Sequence, residues 1–134
     1  MNLPVEALEM DVPIRVHKTE LSTGSGGSGK FRGGLGLIRE YEILHGTVVF
    51  THRGERYSHP ARGLMGGEPG GKAYSKIKRR DGKEIVIKSK TVETLEIGDQ
   101  ILVQTAGGGG YGCPTERPEH LQRNDIADRK THDC

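Results

Sequence analysis

The sequence has no tryptophan, only two cysteines and no long apolar run. Hydrophobic residues make up 32% of its 134 residues, enough for one domain with a modest core but not for two. No apolar run reaches bilayer-spanning length and no signal-peptide core is present, so we expect no membrane partner. Because the cysteines lie at positions 113 and 134, we expect no disulfide framework and a cytoplasmic location.

The chain also lacks an excess of charge of either sign. Twenty basic and eighteen acidic residues leave a net charge of +2, which argues against nucleic acid as the main partner. Low hydrophobicity with low net charge favours a folded, loop-rich chain over a disordered one. None of the six histidines has the paired short spacing of a zinc site, so we predict no metal site in this chain.

Glycine, by contrast, is abundant, with 21 residues. Residues 24–30 match the first seven positions of a phosphate-binding P-loop, and three of their glycines match the dinucleotide-binding fingerprint. However, Phe31 stands where a P-loop needs serine or threonine, and the glycines that follow disfavour the required helix. The stretch therefore predicts a connector between strands, with nucleotide binding as a weaker hypothesis.

Apolar/polar alternation and β-branched residues predict strands over 14–21, 35–44, 47–51, 91–95 and 100–105, the last of them central in its sheet. Asp81-Gly82 predicts a tight hairpin that joins 73–79 to 84–88. Residues 2–12 read as extended, and 117–123 as a short helix followed by a frayed tail. The predicted fold is mainly β, with antiparallel sheets in a sandwich- or barrel-like arrangement, long glycine-rich loops and one short C-terminal helix. We divide it into a glycine-rich β module, 1–114, and a helix and tail, 115–134.

Four consecutive glycines and Tyr111 follow the most apolar strand. Glycine loses more backbone entropy on folding than any other residue, so such a run needs a reason. Positive φ angles, close passage of another backbone and close approach of a ligand all remain open. We assign no catalytic residue. The ligand-binding or interface candidates are Arg32, Gly33, Gly34, Gly107, Gly108, Gly109, Gly110 and Tyr111.

Two side-chain features could bind an anion. Arg32 has room among glycines to reach a partner carboxylate or phosphate. The basic segment 52–62 could receive a carboxylate or phosphate, or it could be a solvated loop.

Four motifs, in order, resemble signatures of the hydantoinase B/oxoprolinase family. Residues 25–36, SGGSGKFRGGLG, resemble "SGGxGxxRGGxG", and residues 2–6, NLPVE, resemble the preceding "NxPxE". Residues 60–70, PARGLMGGEPG, resemble "PxGLxGGxPG" with one extra residue before the glycine. Residues 105–114, TAGGGGYGCP, resemble "TPGGGGYGDP", with Ala106 and Cys113 in place of proline and aspartate.

The resemblance implies a function as part of a larger assembly. Members are subunits or domains of enzymes that open cyclic amides, such as N-methylhydantoin or 5-oxoproline, by using ATP, and relatives carboxylate ketones. ATP binds to a partner A-type subunit or domain in these systems. The chain resembles only the C-terminal part of a B-type subunit, so we expect a fragment or split subunit that provides scaffold and interface.

The implied partners are the remaining N-terminal part of the B-type subunit and an A-type subunit. This chain would itself bind no cofactor, and ATP with a possible divalent metal belongs to the complete enzyme. The alternative hypothesis is a non-catalytic assembly module or a decayed gene fragment without activity of its own.

Overall fold

The computed structural model describes residues 3–132, and it is mainly β with antiparallel sheets, as predicted. The strands lie close to their predicted positions. In chain order the elements are α1 (Val5–Asp11), β1 (Ile14–Ser22), β2 (Gly36–Ile43), β3 (Val48–Arg53), β4 (Tyr74–Lys78), β5 (Glu84–Val86), β6 (Lys90–Leu95), β7 (Gln100–Gln104), a 3-10 turn (Pro114–Glu116) and α2 (Glu119–Ala127).

Five strands form one antiparallel sheet in the order β1-β2-β7-β4-β5, so β7 is central as predicted. The predicted hairpin is β4-β5, which turns at Gly82 with φ +91°. β3 and β6 pair separately as a two-stranded antiparallel sheet. No helix within residues 3–132 combines the length and apolar character needed to cross a bilayer.

The core is small and almost entirely aliphatic. Alternation along the strands places one apolar face of the large sheet inward, where Leu8 of α1 and Phe50 of β3 pack against it. The buried cluster consists of Ile14, Ile43, Ile77, Ile87, Leu95 and Ile101. This core anchors one end of the sheet, while the glycine-rich loops lie beyond the other.

The prediction of an extended lead-in over 2–12 is wrong within the described residues, because Val5–Asp11 is a helix. Pro4 immediately precedes it, and the residues that follow are mostly good helix formers. A proline is tolerated at a helix start, where the first N–H groups have no intrahelical partner. The packing of Leu8 on the core adds tertiary stabilisation that periodicity alone did not reveal. Residue 2 lies outside the described residues.

The C-terminal helix is present but displaced from its predicted bounds. α2 begins two residues after 117 and continues four residues past 123, because Pro118 occupies its N-cap and a 3-10 turn precedes it. Residues 124–127 are therefore helical rather than part of a frayed tail. The second cysteine, at 134, lies outside the described residues.

Candidate functional site: the glycine bundle and its apolar tip

Three glycine-rich segments meet beyond the ends of three neighbouring strands. Residues 24–34 connect β1 to β2, residues 106–112 follow β7, and residues 61–71 precede β4. Since β7 lies between β2 and β4, these segments are brought side by side. We call the three segments together the glycine bundle.

Each segment of the glycine bundle is hydrogen-bonded to the other two through the backbone. The N–H of Gly27 donates to the carbonyl of Gly108 at 2.9 Å, which joins segment 24–34 to segment 106–112. The N–H of Glu68 donates to the carbonyl of Ser28 at 2.8 Å, and the N–H of Gly110 donates to the carbonyl of Glu68 at 2.9 Å. Backbone polar groups are thus paired without a regular sheet.

The bundle glycines allow backbones to approach more closely than any side chain would permit. A Cβ at Gly33 would overlap the carbonyl oxygen of Gly108, and one at Gly107 would overlap that of Ser25. Gly109 and Gly110 are equally confined, by the carbonyls of Arg62 and Ser28. Close passage of another backbone therefore accounts for these four candidate glycines.

The remaining candidate glycines are less confined. A Cβ at Gly34 would have no atom within 4 Å, and one at Gly108 would meet the Gly34 nitrogen at 3.1 Å. A positive φ is required at Gly112, at +75°, and at Gly24, at +76°. The need for a positive φ therefore explains why glycine occupies these two positions, at the start of segment 24–34 and at the end of segment 106–112.

Four of the seven N–H groups of the P-loop-like stretch, residues 24–30, donate to backbone carbonyls of the chain. The N–H of Gly24 donates to the carbonyl of Lys130 at 3.0 Å, and the N–H of Lys30 donates to that of Gly112 at 3.2 Å. Gly27 is engaged in the same way, and no helix follows the stretch. A phosphate loop instead directs free N–H groups and a helix N-terminus at the phosphates. This stretch does not fit ATP.

Arg32 binds a carboxylate of its own chain. Its Nε donates to Oδ2 of Asp125 at 2.9 Å, and its Nη1 donates to the carbonyl of Gly26 at 3.3 Å. Asp125 belongs to α2, 93 residues further along the chain. Arg32 therefore fastens the C-terminal helix to the glycine bundle.

Asp125 is held by a second guanidinium, that of Arg117. Arg117 donates to both carboxylate oxygens at 2.9 Å, and its Nη1 donates to the carbonyl of Lys30 at 2.9 Å. Asp125 is only 3% exposed. Burial acts to raise its pKa, but the hydrogen bonds and charges of the two arginines outweigh burial and leave the pKa below its usual value.

Sequence reasoning missed Asp125 and Arg117. One local signal pointed to Asp125. A negative charge near the C-terminus of a helix interacts unfavourably with the helix dipole, so a compensating cation is expected nearby. The pairing with Arg32 depends on contacts between distant parts of the chain. It could not be read from local spacing.

Four exposed apolar side chains lie where the three bundle segments meet. Phe31, Leu64, Met65 and Tyr111 are between 49% and 75% exposed, and we call them the apolar tip. Phe31 and Tyr111 exchange two backbone hydrogen bonds of 2.9 Å, and their ring centroids are 6.3 Å apart. The N–H of Leu64 donates to the carbonyl of Gly110 at 2.9 Å. The glycine bundle therefore holds these side chains on a fixed backbone while leaving them exposed.

The basic segment 52–62 divides into a buried and an exposed part. His52 is buried, and its Nε2 lies 2.5 Å from the Tyr57 hydroxyl, which lies 2.7 Å from Oγ of Ser75. Burial lowers the pKa of His52 and so favours its neutral form. The side chains of Arg53, Arg56 and Arg62 are exposed. The histidine at the start of the segment is a packing residue.

Comparisons with known proteins place this geometry in a known family. The family model for hydantoinase B/oxoprolinase matches residues 1–114. The chain is 40% identical over 108 residues to 5-oxoprolinase of Dictyostelium discoideum, covering 81% of this chain and 8% of that protein. It is 36% identical over 124 residues to caprolactamase subunit beta of Pseudomonas jessenii, covering 88% of this chain and 21% of the subunit.

The fold matches that of a solved relative. In the crystal structure of the ATP-dependent caprolactamase from Pseudomonas jessenii, the matched chain is 31% identical, with a TM-score of 0.80. The match covers 98% of this chain and 24% of the caprolactamase chain. The chain thus spans less than a quarter of the length of these relatives.

Proposed function

Because this chain belongs to the hydantoinase B/oxoprolinase family, we propose that it is part of a B-type subunit of an ATP-dependent enzyme that hydrolyses cyclic amides. The substrate class is hydantoins or 5-oxoproline, and the module supplies scaffold and a subunit interface. Support for the reaction class comes from relatives named 5-oxoprolinase and ATP-dependent caprolactamase. ATP, and a divalent metal if one is used, bind elsewhere in the complete enzyme. The cytoplasmic location remains a prediction from the cysteine content.

The observation that carries the proposed role is the apolar tip. Exposed aromatic and aliphatic side chains on a rigid backbone are typical of interaction surfaces, because little ordering entropy is lost when they are buried. The candidate residues beneath the tip are engaged with one another, as Gly33 and Gly107 pack on backbone carbonyls and Arg32 binds Asp125. We therefore assign the interface to the tip and the scaffold to the bundle. The expected partners are the rest of the B-type subunit and an A-type subunit.

The test is binding of this chain to the remaining part of a B-type subunit from the same organism, with and without the A-type subunit. The double variant Phe31→Ser/Tyr111→Ser should weaken binding at least about tenfold, because each exposed aromatic anchor contributes on the order of 1 kcal/mol or more. The control is Val49→Ser/Val92→Ser, which removes two comparably exposed side chains from the β3-β6 sheet. This control should bind normally. Failure of the wild-type chain to bind either partner would refute the proposal.

A further inference from the structure

The core-bearing face of the five-stranded sheet is covered over β4, whereas over β1 it is covered at Ile14 but exposed at Thr19 and Leu21. Ser75, Val103, Arg39 and Thr19 lie opposite one another in one row across four strands. Ser75 has no exposed surface and contacts Tyr57, whereas Thr19 at the other end of the row is exposed. In the next row outward, Leu21 of β1 faces Leu37 of β2 and is 60% exposed. At this end of the sheet, the covering layer therefore ends over β2.

Arg39 occupies the point where that covering layer ends. Its Nε is buried, and within residues 3–132 it is the one buried side-chain nitrogen or oxygen without a hydrogen-bond partner. Its cross-strand neighbours Thr19 and Val103 are uncharged. Leaving a buried N–H of a charged group without an acceptor is costly, and native proteins rarely contain such an unpaired donor.

We propose that the face formed by Thr19, Leu21, Leu37 and Arg39 receives a segment from the remaining part of the B-type subunit. The segment presents an aspartate or glutamate to Arg39 and aliphatic side chains to the two leucines. The occupant follows from charge complementarity, because Arg39 has no ion-pair partner within residues 3–132 and a carboxylate can reach the terminal nitrogens of its guanidinium, which are not buried as Nε is. It also follows from the extent of the relatives, since about three quarters of the caprolactamase chain lies outside the match. The inference rests on the proposed function.

The first experiment measures thermal unfolding of the isolated chain. Arg39→Met keeps the aliphatic stem and removes the unpaired charge, so the midpoint should stay unchanged or rise by up to about 5 °C. The matched control is Arg79→Met, because Arg79 donates to Asp99 at 2.8 Å, to the Thr94 carbonyl at 2.7 Å and to Glu93 at 3.1 Å. Its midpoint should fall by more than about 10 °C. A comparable fall for Arg39→Met would show an acceptor within the chain and overturn the proposal.

The second experiment measures binding to the remaining part of the B-type subunit. Arg39→Met should weaken binding at least about tenfold, as loss of a charged hydrogen bond does, whereas Arg53→Met, at an exposed position of β3, should not. Normal binding by Arg39→Met would overturn this inference and leave the proposed function standing. Absence of wild-type binding would refute both. A dimer of the isolated chain that Arg39→Met dissociates would assign the face to a second copy instead, and would also overturn the proposal.

Discussion

Asp125 connects two parts of the molecule that lie 93 residues apart along the chain. A single buried carboxylate accepts hydrogen bonds from Arg32 in the first glycine segment and from Arg117 before α2. Two partly buried guanidinium groups thus share one anion. Removal of that anion would leave both cations without their main partner.

Asp125→Asn should therefore be strongly destabilising. We expect the free energy of unfolding to fall by roughly 3 kcal/mol, as when one partner of a buried ion pair is removed. Asp128→Asn is the matched control, because Asp128 is exposed and its ion pair within residues 3–132 is with Lys130, at 2.8 Å, so its effect should stay below about 1 kcal/mol. Chemical denaturation at neutral pH measures both. An equal effect of the two variants would contradict the role of Asp125.

The same carboxylate should make stability pH-dependent in acid. Its pKa in the folded state lies below the unfolded value, so unfolding is accompanied by proton uptake once the pH approaches the unfolded pKa of about 4. The contribution of Asp125 is complete above that pH and disappears as the pH falls through the lower folded pKa. Asp125→Asn should flatten that part of the stability curve. Equally steep acid unfolding of wild type and variant would contradict this sign.

Among the elements, the glycine bundle was partly predictable. The glycine runs and their flanking strands could be located from the sequence, and close backbone packing was one of the three explanations left open. Which segments pair could not be predicted, because the hydrogen bond between Gly27 and Gly108 joins positions 81 residues apart that only the sheet order brings together. α1 was missed because its stability comes partly from Leu8 on the core.

A pair of alanine substitutions tests the packing of the glycine bundle. Gly107→Ala would place a methyl group on the Ser25 carbonyl, so we expect at least about 2 kcal/mol of destabilisation. Gly34→Ala, in the facing segment, meets open space at a φ that alanine tolerates, so its effect should lie within about 1 kcal/mol of zero. Urea unfolding compares the two. Tolerance of Gly107→Ala would mean that the bundle is looser than the structure shows.

At the scale of the whole molecule, this chain corresponds to one module of much longer proteins among its relatives. It covers 8% of the Dictyostelium 5-oxoprolinase and 24% of the caprolactamase chain. The sequence motifs were sufficient to identify the family, since three of them are the bundle segments themselves. They could not identify Arg39 as an unpaired cation, because that depends on which side chains lie across the sheet.

We expect the purified chain alone to show no ATP hydrolysis that depends on 5-oxoproline or a hydantoin. The P-loop-like stretch uses N–H groups in internal bonds, and the proposed catalytic parts lie in the rest of the enzyme. The measurement is phosphate release with and without each cyclic amide, with a complete 5-oxoprolinase as the positive control. Substrate-dependent turnover by the isolated chain would contradict this expectation.

The glycine bundle also constrains how this part of the sequence can evolve. In an ordinary core, a larger side chain at one position can be accommodated by a smaller one beside it. At Gly33, Gly107 and Gly110 the neighbouring atom is a carbonyl oxygen, which every residue carries. No compensating substitution exists for such a contact, so these positions should tolerate neither single changes nor correlated pairs.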